Sequence, residues 1–129
     1  MSAAVDLLDA IRAHLVEFEL PPPCSVRVCV YGPEVSAQLA SRDAPELAVG
    51  LLAWVDTLTE PTARAWRVPS GDSVHLSITG QLPTGVPVHV YGGVPFTPHG
   101  LGSDLEPDGR APVLLVSLRH LATLGEVTL

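Results

Sequence analysis

Two histidines, His75 and His89, are the residues of this chain whose spacing gives a stateable geometry for chemistry. They lie in the segment Ser73–Gly93, SVHLSITGQLPTGVPVHVYGG. There Val74, Leu76 and Ile78 alternate with Ser73, His75, Ser77 and Thr79, and Val86, Val88 and Val90 alternate with Pro87, His89 and Tyr91. Alternation with period two on both arms predicts a β-hairpin with one buried face and one open face. Matching the apolar sets places Val74 opposite Val90, Leu76 opposite Val88 and Ile78 opposite Val86, which sets His75 opposite His89. Directly opposed side chains have Cβ atoms roughly 4.5–5.5 Å apart, within reach of one metal ion. The same arrangement predicts repulsion between two protonated rings and weaker stability near about pH 5.

A zinc site needs a third and usually a fourth ligand. Cys29, Tyr91 and His99 are the candidates the open face offers, and none completes a ligand set, so no metal and no cofactor is assigned. Ser70, Asp72, Ser73 and His75 include the residue types of a hydrolase. They lack a Gly-x-Ser-x-Gly elbow, and Pro69-Ser70-Gly71-Asp72 reads as a turn. Asp104-Leu-Glu-Pro-Asp108-Gly109 starts like a calcium loop, yet its twelfth position is Leu115 where a bidentate Glu is needed. Gly92-Gly93 and Gly100-x-Gly102 match no phosphate-binding fingerprint. No catalytic residue is assigned. Cys24 and Cys29 sit an odd number of residues apart on or beside one predicted strand, so their side chains point to opposite faces and both read as free thiols.

The elements that must position these residues follow from periodicity. Leu8, Ile11, Leu15 and Phe18 form a helical stripe over residues 3–19, with Ser2 as N-cap and Pro21-Pro22-Pro23 as terminator. Strands are predicted over residues 25–31, with Val26, Val28 and Val30 facing inward, and over residues 34–40. A second helix over residues 45–58 carries Leu47, Leu51, Trp54, Val55 and Leu58 inward, capped by Asp43 with Glu46 three residues on. A strand over residues 62–68 precedes the hairpin. A Pro/Gly-rich loop fills residues 95–112, a length that marks it as functional, mobile or hiding an element. A short strand over residues 113–116 and a helix capped by Ser117 and closed by Gly125 end the chain.

This order predicts an α+β fold: a two-layer sandwich with a mostly antiparallel five- or six-stranded sheet and helices on one face. The 129 residues fit a single domain over 1–129. The open face would carry Arg27, Tyr31, Gln38, His75 and His89. Trp66 either anchors the core or stands exposed beside Arg64, where it would serve as a contact hot spot.

Composition narrows the function classes. The net charge is −7, with nine acids against three arginines in residues 1–61 and one acid against two arginines in residues 62–93. Nucleic-acid affinity rests on clustered Lys and Arg, and this acidic chain provides no cluster, so a nucleic-acid partner is not expected. The longest apolar run, Leu47–Val55, is too short to span a membrane, and Asp6, Asp9 and Arg12 interrupt any signal-peptide pattern; a cytoplasmic location and no membrane partner are expected. The absence of Lys and Asn beside abundant Ala, Val, Leu, Gly and Pro reads as the codon bias of a high-GC bacterium or one of its phages or plasmids. The segments LLAWVDTLTEPTARAWRVPSGDSVHL and GVPVHVYGGV resemble those of small uncharacterised actinobacterial proteins, a resemblance that implies a source and brings no functional residue.

The expected function is a non-enzymatic protein-interaction, accessory or regulatory factor, of immunity or phage type among others. It would act through the polar sheet face, with His75, His89, Tyr91, Arg27, Arg64 and Trp66 as binding residues. The rival class is a small-molecule- or metal-dependent enzyme using the His75/His89 pair. A homodimer formed through the sheet face or an edge strand is a third expectation.

Overall fold

A computed structural model describes residues 3–124. The sequence expectations at Ser2 and Gly125 lie outside them. The described chain runs α1 (Ala3–Glu17), β1 (Ser25–Cys29), β2 (Glu34–Gln38), α2 (Ala44–Val55), β3 (Thr59–Arg67), β4 (Ser73–Gln81), β5 (Pro87–Pro95), β6 (Arg110–Val113) and α3 (Leu115–Leu124). The strands form one open six-stranded sheet in the order β1-β2-β5-β4-β3-β6. Among the described residues only the β2–β5 pairing is parallel. The fold is therefore α+β with a mixed, mostly antiparallel sheet.

Alternation decides which side chains enter the core. Val35 and Ala37 of β2, Ala63 and Ala65 of β3, Val74, Leu76 and Ile78 of β4, and Val88, Val90 and Val94 of β5 are all buried. They meet Leu47, Ala48, Leu51, Trp54 and Val55 of α2, Leu7 and Ile11 of α1, and Leu118 and Ala122 of α3. Helix α2 starts as the sequence dictates: the Asp43 carboxylate accepts from the Glu46 amide at 2.9 Å, and Pro45 occupies the first turn, where no amide donor is missed. The Glu46 side chain pairs with Arg42 Nε at 2.8 Å, so the reciprocal half of the capping box is not used. Helix α2 lies close to the sheet because β5 carries Gly92. A Cβ there would fall 2.4 Å from Leu47 Cδ1 and 3.1 Å from the Leu39 carbonyl oxygen.

Several expectations are corrected. Strand β1 ends at Cys29 and lies at the sheet edge, where only Val28 is half-buried against the core and Val26 and Val30 are exposed. Helix α1 is rotated from the predicted stripe: Leu7, Ile11 and His14 are buried, whereas Leu8 and Phe18 are exposed. The i, i+4, i+7 set wins because His14 finds a polar partner in the core. Its Nε2 lies 2.8 Å from Thr57 Oγ1, and that hydroxyl donates to the Trp54 carbonyl. The sixth strand spans Arg110–Val113, earlier than predicted, and α3 begins at Leu115, with Ser117 inside its first turn.

The hairpin register differs most. In the structure Val74 pairs with Val94, His75 with Gly93, Ile78 with Val90 and Thr79 with His89, a shift of four residues from the predicted pairing. The turn explains it. The Leu82 amide donates to the Val86 carbonyl and the Gly85 amide to the Leu82 carbonyl, leaving Pro83-Thr84-Gly85 as a three-residue loop. Gly85 has a φ of +96°, the left-handed position such loops require. A shift by an even number leaves every side chain on its predicted face.

Candidate functional site

Opposite the core, the sheet presents three cross-strand rows. Arg110, Trp66, His75 and Gly93 form the first. Arg64, Ser77, Tyr91 and Gln38 form the second, and Thr79, His89, Ser36 and Arg27 the third. Together they enclose an open cleft of about 480 Å³, lined by side chains of β1, β3, β4, β5 and β6 and by no helical residue. All six binding residues expected from sequence line this cleft: Arg27, Arg64, Trp66, His75, His89 and Tyr91.

The aromatic floor is continuous. Trp66 meets His75 edge-on with ring centroids 5.3 Å apart, His75 stacks on Tyr91 at 6.1 Å, and Tyr91 stacks on His89 at 5.0 Å. Gly93 makes this geometry available. It faces His75 across the β4–β5 ladder, and a Cβ there would fall 3.0 Å from the imidazole Cδ2, so the ring leans over the space a side chain would fill. Tyr91 thus stands between the two imidazoles. Four residues along an antiparallel pair displace His75 from His89 by roughly 13 Å along the strands. The facing pair predicted from sequence does not form, and neither does a two-histidine metal clamp or the mutual repulsion attributed to it.

Trp66 is fixed from the long loop. Its Nε1 donates to the Asp108 carboxylate at 2.9 Å, and the Arg110 guanidinium lies 5.0 Å from its ring. Asp108 takes a φ of +65°, and its carboxylate also lies 3.9 Å from Arg110. Residues 96–109 are tied down by Arg67 as well. Its Nε donates to the Gly71 carbonyl and its Nη1 to the Leu105 carbonyl, both at 2.9 Å, and its guanidinium caps the Phe96 ring at 3.6 Å. The loop predicted over 95–112 thus conceals the ends of β5 and β6 and braces the cleft.

Electrostatically the cleft stands apart from the rest of the chain. Its lining contains three arginines and no carboxylate, in a protein of net charge −7. Burial lowers the pKa of His89 from its ordinary value, Glu34 opposes that shift and Arg27 adds to it. His89 is therefore predominantly neutral at pH 7 and contributes a hydrogen-bonding ring to the floor. The aromatic centre is half-buried and the guanidiniums are exposed at the rim.

The other residues singled out from the sequence lie elsewhere. Tyr31 sits in the β1–β2 turn, 98% exposed and outside the cleft. His99 is exposed in the long loop. Ser70 donates to Asp72 at 2.6 Å within the turn before β4. Cys24 and Cys29 are free and exposed. Among the described residues no group of three or more His, Cys, Asp or Glu side chains could hold a metal ion, and no helix is long and apolar enough to cross a membrane.

Sequence reasoning set Ser77 and Thr79 on the open face without naming them as binding residues, and it missed Arg110 in the lining, Gly93 as the opening above His75, and Asp108 as the brace for Trp66. The signal for Gly93 was Pro83-Thr84-Gly85. Reading it as a three-residue hairpin loop sets Leu82 opposite Val86 and fixes the true register. The chain matches no protein-family model, and no curated protein or solved structure matches it significantly.

Proposed function

We propose that this chain is a non-enzymatic interaction protein, an accessory or regulatory factor that recognises a partner protein through the open face of its sheet. The observation that supports the reading is the cleft's composition. A half-buried Trp66, His75 and Tyr91 centre is ringed by Arg27, Arg64 and Arg110. Trp, Tyr and Arg are the residues that dominate binding energy at protein interfaces, and they do so from the centre of a contact patch. Five strands supply the face, and the Trp66–Asp108 hydrogen bond ties its border to the long loop. A preorganised face loses little side-chain entropy on binding.

The test is site-specific photo-cross-linking in the native cell. A photoreactive residue replaces Thr79 in the cleft or, as control, the exposed Val16 of α1. The expected result is a protein adduct of one discrete mass from position 79 alone, abolished by Arg64→Glu. Equal labelling from both positions, or none from position 79, overturns the reading. An adduct at twice the monomer mass, matched by a dimeric elution volume, would assign the face to self-association.

A further inference from the structure

Building on that reading, we infer that the cleft binds an acidic, extended segment of its partner, with carboxylates at both ends and an apolar or aromatic side chain between them. Arg27 on β1 lies four strand intervals from Arg64 on β3, with Arg110 one strand further. At about 4.8 Å per interval, roughly 19 Å of sheet separates the first two backbones. An extended chain covers that span in about six residues. A single small anion reaches only one end.

Between Arg27 and Arg110 the lining is mostly aromatic, with the hydroxyls of Ser77 and Thr79 among the rings. Trp66, His75 and Tyr91 form a half-buried floor, and Ser77 lies at its middle. Guanidinium groups suit carboxylates because their paired N–H donors match the two oxygens. Arg27 and Arg64 make no ion pair among the described residues, and Arg110 has only a 3.9 Å contact with Asp108. The cations are thus free to meet a ligand with little competition from the chain itself.

A polyphosphate strand is the less suitable occupant. Three guanidiniums neutralise few phosphates, and the rest of the chain is strongly acidic. The rings also take one another's faces, with His89 and Tyr91 13° from parallel at 5.0 Å, so stacking surface for bases is already partly spent.

The experiment is a fluorescence-anisotropy titration of the full chain with three labelled probes. The first is a decapeptide with paired glutamates flanking a central phenylalanine-containing stretch. The second is its glutamine counterpart, and the third a ten-nucleotide single-stranded DNA. The acidic peptide is expected to bind, with affinity falling about tenfold for Arg64→Gln, for Arg110→Gln and for the glutamine peptide, and about threefold or more for Arg27→Gln. Binding should weaken as salt rises. All three arginines are exposed, and a thermal melt establishes that each variant is folded. No acidic-peptide binding up to about 1 mM overturns the inference. So does equal binding of the glutamine peptide, tighter binding of the DNA, or indifference to Arg27 and Arg64. A discrete cleft cross-link together with any of these outcomes leaves the recognition reading standing and removes only the acidic segment.

Discussion

The two faces of the sheet obey different rules. On the core face, Val74, Leu76 and Ile78 meet Val94, Gly92 and Val90 across the β4–β5 ladder, all of them buried. On the open face, the same ladder joins His75 to Gly93, Ser77 to Tyr91 and Thr79 to His89. A four-residue slip of β5 would still set apolar residue against apolar residue on the first face, with one misfit where Val88 takes the place of Gly92 against Leu47. On the second it would replace Gly93 by His89 beside His75 and dismantle the aromatic floor. Burial stabilises through area, to which Val, Leu and Ile contribute alike, whereas a recognition surface depends on which group stands beside which.

The largest expected effect breaks the core face. Trp54 is fully buried, and Trp54→Ala should cost about 4 kcal/mol in urea denaturation. Among the described residues its Nε1 has no hydrogen-bond partner, so Trp54→Phe should cost about 1 kcal/mol or less, because a smaller ring also removes an unsatisfied donor. Equal losses for the two variants would show that the indole N–H is satisfied in solution.

A sharper contrast comes from adjacent glycines on opposite faces. Gly92→Ala should destabilise by about 2 kcal/mol, since the new methyl collides with Leu47 beneath the sheet. Gly93→Ala should cost less than that, because the His75 ring can swing away, while peptide binding in the cleft weakens. If both variants lose the same stability, packing beneath the sheet does not set the constraint.

The next test compares buried and half-buried histidines. Burial lowers the pKa of His14, a shift that Glu17 opposes, and burial lowers that of His89 as well. The unfolded chain therefore takes up protons first as pH falls below about 6.5. Stability should be fully present above that value and decline towards acid, with His14→Gln flattening the slope and His89→Gln flattening the remainder. An unchanged slope in both variants would place the acid sensitivity elsewhere. Desolvation thus takes over the acid weakening that the sequence attributed to a facing histidine pair.

The smallest effect on stability should accompany the largest on recognition. Arg64→Ala removes an exposed side chain with no ion pair among the described residues. It should change the unfolding free energy by no more than about 0.5 kcal/mol. A loss above about 2 kcal/mol would make Arg64 a structural residue and undercut its place in the cleft.

Much of the fold was legible because the local signals were strong. The Asp43–Glu46 start of α2, the apolar set Leu47, Leu51, Trp54 and Val55, and the alternation of β2, β4 and β5 all recur in the structure. What failed did so where the local signal left the tertiary position open. Strand β1 alternates like a buried strand yet lies at the sheet edge. Helix α1 carries two competing stripes, and only the seat for His14 between Thr57, Phe18 and Trp54 selects one. Strand β3, expected over 62–68, is present but starts at Thr59, ahead of Pro61 beside Glu60 at a φ of +52°, where its pairing with β4 is irregular.

By itself the sequence determined which residues of β2, β4 and β5 face inward, because that depends on parity and survives any even slip. Parity put His75, His89 and Tyr91 on the open face, and residue type added Arg27, Arg64 and Trp66, without fixing how the six meet. Only the tertiary structure decided that Tyr91 separates His75 from His89, that Asp108 holds Trp66, and that Arg110 joins the rim. Those neighbours come from different strands and a long loop. Their proximity is set by strand order and hairpin register, which a face pattern alone leaves open.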